Sequence, residues 1–333
     1  MNYFVYELKK NRALLVLLTV LASALYVVVC STYELFYIAL DGRIFAAATP
    51  IGTVYTFSAC ACAIVPIIVY SFKMKKRSVD VFYSLPLKRE KIWLAKTLVG
   101  LVLVIVPYTV AYWLGFTVIA ARENYYDLIY FLSGFFGGAL YIVCMFGIFS
   151  FAFTRANNVA DGVVFIILYT FVGMFFTNFI NAMIDAFGSS NDLYIDTLSY
   201  CAFGGLIDFG NMTDSLLRGV SDVPNVAMFL FPVLYAAVCY TLMFVLVRCE
   251  KAENAEQHSE TWFGYRTMLP AYLVMLLAVT RITSVAWLAV LVIISAVVMS
   301  AVYKRSVRMG ARWAIVLGVC SAAGVALGIV LHL

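Results

Sequence analysis

Long apolar runs alternate with short polar ones along nearly the whole chain. Runs of about 18 residues or more recur, and each is long enough to cross a bilayer core of roughly 30 Å as a helix. In order, the pattern predicts spans over 13–30, 51–72 (kinked at Pro66), 97–119, 128–153, 162–180 and 226–247. A shorter run, 267–280, follows, and then 282–303 and 313–331. No segment shows the ten-residue apolar/polar alternation of a membrane β-barrel. The expected fold is an all-α integral membrane protein, a polytopic bundle of eight or nine transmembrane helices.

The polar stretches divide the chain further. Residues 1–12 place Met1, Phe4, Val5 and Leu8 on one face ahead of Lys9, Lys10 and Arg12. This reads either as an interfacial amphipathic helix or as a frayed start carrying a topology signal. Residues 73–96 form a basic loop, 181–225 a mixed outer segment with six Asp and one Arg, and 248–266 a second charged inner loop. Within the outer segment, 198–207 is apolar but too short to span. It is either a re-entrant or surface helix capping a translocation path or a loop covering the bundle. No polar segment is large enough to bury a core of its own.

Charge orients the bundle. Nineteen of the 23 Lys/Arg fall on one side, the others being Arg43, Arg122, Arg218 and Arg281. Basic loops stay cytoplasmic, which puts the N-terminus and the 73–96 loop in the cytoplasm. If 267–280 did not cross, Lys304, Arg305, Arg308 and Arg312 would face outward, so nine spans fit better than eight. The same topology accounts for the net charge of +5 without nucleic acid. Hydrophobic residues make up 64% of the chain and the mean hydropathy is +0.96, outside the range of a soluble domain.

Catalytic signatures are missing from the sequence. It has no G-x-x-x-x-G-K-[ST] phosphate loop, no H-E-x-x-H and no G-x-S-x-G. His258 and His332 are far apart, and the eight Cys lie mostly in apolar runs as small buried residues. We therefore expect no catalytic, metal or cofactor site in this chain. The central parts of the predicted spans carry no charge, which disfavours an ion-coupled pathway and points to an energy source on another chain. Gly134-x-x-x-Gly138 and Gly324-x-x-x-Gly328 allow close helix packing, either at a subunit interface or inside the bundle.

The stretch 72–96 holds eight Lys/Arg against Asp80 and Glu90. Val79, Phe82 and Tyr83 recur at i, i+3 and i+4, giving a short helix an apolar face. Ser84-Leu85-Pro86 breaks it, and a second helix starts near Leu87 and enters the membrane with Trp93 at interface depth. An exposed apolar face at the cytoplasmic surface suggests docking of a soluble partner.

The run Ser78-Val79-Asp80-Val81-Phe82-Tyr83-Ser84-Leu85-Pro86-Leu87-Lys88-Arg89-Glu90-Lys91 resembles the D-x-x-x-S-L-P-x-x-R loop of bacterial ABC-2 type transporter permeases. By organisation the resemblance covers 1–247, a six-span core; the later spans go beyond it. It implies that Val79, Phe82 and Tyr83 insert into a groove of a separate ATPase, with Asp80, Lys88, Arg89 and Glu90 around them. It also implies ATP and Mg on that ATPase, a second permease subunit (identical or not), and export of a hydrophobic or amphipathic substrate across a bacterial plasma membrane. The other classes left open are a non-transporting membrane sensor or immunity protein, and a secondary transporter.

Overall fold

The computed structural model describes residues 3–32, 37–40, 43–46, 50–84, 87–121, 128–187, 200–217, 226–248, 255–257, 259, 261–279, 290, 293–294, 297 and 311–332. Its helices, in chain order, are α1 (Tyr3–Lys10), α2 (Arg12–Thr32), α3 (Ile51–Tyr70), α4 (Lys76–Tyr83), α5 (Arg89–Ala121) and α6 (Leu128–Thr154). They continue with α7 (Val159–Phe187), α8 (Ala202–Leu217), α9 (Val226–Val247), α10 (Tyr265–Val279) and α11 (Ala311–His332). A 3-10 turn, Ser71–Met74, closes α3. In lipid each backbone N–H and C=O must be satisfied within its own segment, which is why apolar runs become helices.

Among the described residues seven helices are long and apolar enough to cross a membrane: α2, α3, α5, α6, α7, α9 and α11. They match seven of the nine expected spans. The described part departs from all-helix at one place. Tyr37–Leu40 (β1) pairs antiparallel with Arg43–Ala46 (β2), Leu40 opposite Arg43. The two residues between them are Asp41 and Gly42, a strong short hairpin signal that the loop reading passed over.

Helix α5 starts close to the expected Leu87. Its 33 residues begin at Arg89, ahead of the apolar span expected from Thr97, and measure about 50 Å at 1.5 Å per residue. Hydropathy marks where charge stops; the helix continues two turns into the charged zone because nothing there breaks it. Lys96 and Trp93 are therefore buried helical residues.

The bundle is built around α6. Of its membrane window 67% is buried, against 50% for α3 and α5 and 17% for α2 and α11. Helices α3, α5, α7, α8 and α9 pack on it, α2 packs on α5, and α10 joins α7 to α11. Phenol hydroxyls tie the centre together. Tyr55 donates to Gly134 O (2.8 Å), Tyr108 to Phe135 O (2.9 Å) and Tyr112 to Phe131 O (2.7 Å). A buried phenol needs such an acceptor, and small residues on α6 let the rings reach one.

Gly134 and Gly138 thus lie inside the bundle, beneath Tyr55, Tyr108 and Tyr112. A Cβ on Gly138 would stand 2.5 Å from Tyr55 Cε1 and 2.6 Å from the Tyr108 hydroxyl oxygen, whereas Gly318 has nothing within 4 Å. Gly138→Ala should cost about 1–3 kcal/mol by overpacking. Gly318→Ala should gain up to about 1 kcal/mol of helix propensity. Thermal unfolding in mild detergent ranks the two; equal melting temperatures would contradict this packing.

Gly324 and Gly328 are internal as well. Gly324 lies against Val274 and Leu277, and Gly328 against Leu277 and Ala278. Moving up α11 therefore moves up α10, so the two run parallel, which is what nine spans require of them. The short helix α10 also follows α7 closely. Tyr265 packs on Phe165 at 4.6 Å, Tyr272 donates to Leu168 O, and Ala278 clusters with Ala182. Of the expected span 282–303 only Val290, Ile293, Ile294 and Val297 are described, and all four are exposed; the rest lies outside the described residues.

Part of the outer segment is a helix, α8. Phe203 packs on Phe149 and Phe209 on Tyr141, both at 5.4 Å between ring centres, and Thr213 reaches Gly134. It lies antiparallel to α6, entirely within the length of α6, which is about 40 Å by its 27 residues. The helix starts at Ala202 rather than Leu198, and residues 188–199 lie outside the described part.

Candidate functional site

Four segments far apart in sequence meet at one end of the bundle: α1, the 71–96 stretch, the α6–α7 turn and residues 255–267. Each end of a charged segment finds its partner on another.

The first junction centres on Lys96. Its ammonium pairs with Glu7 Oε1 at 3.1 Å, with side chains only 4% and 3% exposed. Glu7 also accepts from the Tyr3 hydroxyl at 2.7 Å. The same ammonium lies 4.4 Å from the ring centre of Phe72 and 4.7 Å from that of Phe82, and those rings are 4.6 Å apart. A desolvated cation over two ring faces gains attraction from both quadrupoles. Lys96 thereby fastens α1, the end of α3 and α4 onto α5. Beneath it Trp93 is fully buried and stacks on Tyr70 at 5.1 Å. On α1, Phe4 and Leu8 pack against the core while Val5 is exposed; Met1 lies outside the described residues.

The second junction centres on Asp161. Asn158 caps α7: Asp161 N–H donates to Asn158 Oδ1 at 2.9 Å, and Asn158 Nδ2 donates back to Asp161 Oδ2 at 3.1 Å. The first bond is the N-cap half of a capping box; the return bond runs from side chain to side chain. Ser259 Oγ donates to Asp161 Oδ2 (2.7 Å) and accepts from Asn157 N–H (2.8 Å). The Tyr265 hydroxyl donates to Asp161 Oδ1 at 3.2 Å, and Thr261 Oγ1 to Arg155 O at 2.9 Å. Glu256 and Phe263 have positive φ, 65° and 66°, a conformation uncommon outside glycine; the two bends turn 255–265 back over the α6–α7 turn. Lys73 donates to Thr154 O, and Lys76 N–H to Glu256 Oε1 at 3.3 Å. The two junctions therefore form one continuous platform.

The placement of α4 corrects the expected docking face. Val79 is 2% exposed and Phe82 packs inward on Phe72. An amphipathic helix at the membrane surface buries its apolar face on the nearest apolar wall, here its own bundle. The outward surface instead holds Val81, 60% exposed, and Leu87, with Lys75, Lys76, Arg77, Lys88, Arg89 and Glu90 around them. Glu90 pairs with Arg248 at 2.8 Å in an exposed setting, worth little in itself. The side chains of Asp80 and Tyr83, and residues Leu85 and Pro86, lie outside the described part.

A second feature lies beside the middle of α6. Asp208 on α8 is next to Phe209, which touches the midpoint of α6 at Tyr141. Its Oδ2 is buried without a hydrogen-bond partner, and Asn211, one turn on, is exposed. Asp208 lies in the expected outer segment and outside the predicted spans, so the reading that the centres of those spans carry no charge is untouched by it. Asp208 belongs to a segment whose polar average hides a helix.

Among the described residues no group of three or more His, Cys, Asp or Glu is placed to hold a metal ion. Cys30, Cys62, Cys144, Cys201 and Cys239 are buried, Cys320 half-buried and Cys60 exposed on α3; Cys249 lies outside the described residues. No family model, curated protein or solved structure matches the chain.

Proposed function

We propose that this chain is the transmembrane permease subunit of an ATP-driven transporter of the ABC-2 type, exporting a hydrophobic or amphipathic substrate. The observation that carries the reading is the platform. A soluble ATPase pressing on Val81, Leu87 and the basic rim would push on α4. Lys96 passes that push to α1 and α5, and Glu256 and Asn157 pass it to the α6–α7 turn. Helices α5 and α6 then lead to α8, whose Asp208 and Asn211 give the membrane interior a polar wall. The basic platform faces the cytoplasm by the positive-inside rule, in a bacterial plasma membrane, with a second permease subunit completing the assembly. The chain lacks a phosphate-binding loop, so ATP and Mg belong to the partner.

A second reading follows from Asp208. A carboxylate at bilayer depth is the usual mark of a proton or cation pathway, and an ion-coupled transporter would need no ATPase.

The experiment is purification of the chain from its native membrane in mild detergent, repeated in lipid nanodiscs, with co-purifying proteins identified. A stoichiometric P-loop ATPase supports the permease; its absence in both favours the ion-coupled reading. Val81→Asp should lower ATPase association at least tenfold with the melting temperature unchanged. Phe82→Asp should instead lower the melting temperature, because it breaks the contact with Phe72 and Lys96. If Val81→Asp leaves association intact, this surface is not the docking site.

A further inference from the structure

An apolar groove of about 920 Å³ lies between α1 and α5, on the outside of the bundle. Tyr3 and Phe4 form its α1 wall, and Leu94, Leu98 and Val106 lie along its α5 floor. Among the described residues Lys91 is the one charged residue lining it, and it lies at one end. From Lys91 to Val106 the groove follows α5 for about 22 Å at 1.5 Å per residue. That is half of the roughly 40–45 Å thickness of a bilayer with its headgroups. One end is cationic at headgroup depth, and the rest is apolar down to the midplane.

Among the described residues the charge beside the open end is mostly basic: Lys88 and Arg89 are exposed one turn away. Of the described carboxylates nearby, Glu90 is held by Arg248, and Glu7 is buried against Lys96 and Tyr3. Any lipid-facing helix touches acyl chains. This surface differs in being concave over the length of one leaflet, with an ammonium where a lipid phosphate would lie.

We infer that this groove binds one anionic bilayer lipid from the leaflet on the platform side, its acyl chain along α5 and its phosphate on Lys91. The inference is independent of transport. The lipid would brace α1, and with it the Glu7–Lys96 junction.

Native mass spectrometry of the purified full chain, titrated with phosphatidylglycerol and phosphatidylcholine of equal chain length, tests it. The parent should keep one phosphatidylglycerol about fivefold more tightly than phosphatidylcholine, the scale of one Lys at an anionic membrane surface. Lys91→Gln should erase the preference and leave phosphatidylcholine binding in place. Leu98→Trp should weaken both lipids by filling the groove. Leu94→Trp, at another exposed position, is the alternative should Leu98→Trp not fold. A preference unchanged in Lys91→Gln overturns the inference. So does a groove-filling variant that alters the oligomeric state with lipid binding intact, because the groove would then be an interface between copies.

Discussion

Glu7→Ala is expected to lower the melting temperature of the detergent-purified protein by on the order of 10 °C, the largest single-residue effect in the molecule. The argument is one of unpaired charge. Glu7 and Lys96 are both almost wholly buried, so removing the carboxylate leaves an ammonium in a dry site. Breaking one side of such a pair typically costs about 3–5 kcal/mol, whereas replacing both partners with apolar residues is often neutral. The double variant Glu7→Leu, Lys96→Met should therefore recover most of the loss, its stem still lying against Phe72 and Phe82. Melting curves for both singles and the double isolate the coupling. A Glu7→Ala protein that melts within a degree or two of the parent would mean that α1 is not fastened to α5 through this pair.

How much of this was legible in the sequence varies with the physics behind each feature. The spans were, because lipid leaves the backbone no alternative to helix. The start of α5 is legible too: Ser84-Leu85-Pro86 stops the helix before it, and α5 begins at Arg89, ahead of the apolar span at Thr97. The period of α4 showed that Val79 and Phe82 share a face; no period says what that face meets, and it meets the bundle. Asn158 and Asp161, three apart ahead of an apolar run, were a readable cap. Their partners Ser259 and Tyr265 were not, since about a hundred residues separate them. The same holds for Glu7 and Lys96, which only the folded bundle brings together.

Asp208→Asn is the other variant with a large expected effect, and it separates stability from function. A buried carboxylate oxygen without a partner costs more than a neutral amide atom in the same place, because the charged group loses more on leaving water. Helix α8 holds the half-buried Asp208 at the level of the α6 midpoint, with Oδ2 turned away from any partner among the described residues. Neutralising it should raise the melting temperature by about 2 °C, the shift that roughly 1 kcal/mol brings in a large chain. A group kept at the expense of stability is kept for what it does, and function and stability commonly trade in this way. The same variant should abolish translocation while leaving partner association at the platform unchanged, since Asp208 is remote from Val81 and Lys96. The measurement is a paired one: thermal unfolding of the variant, and transport in vesicles carrying the complete assembly. A variant that melts lower than the parent would show that Asp208 is structurally satisfied. One that melts higher and still transports would leave α8 as a packing element, with the path along another face of the bundle.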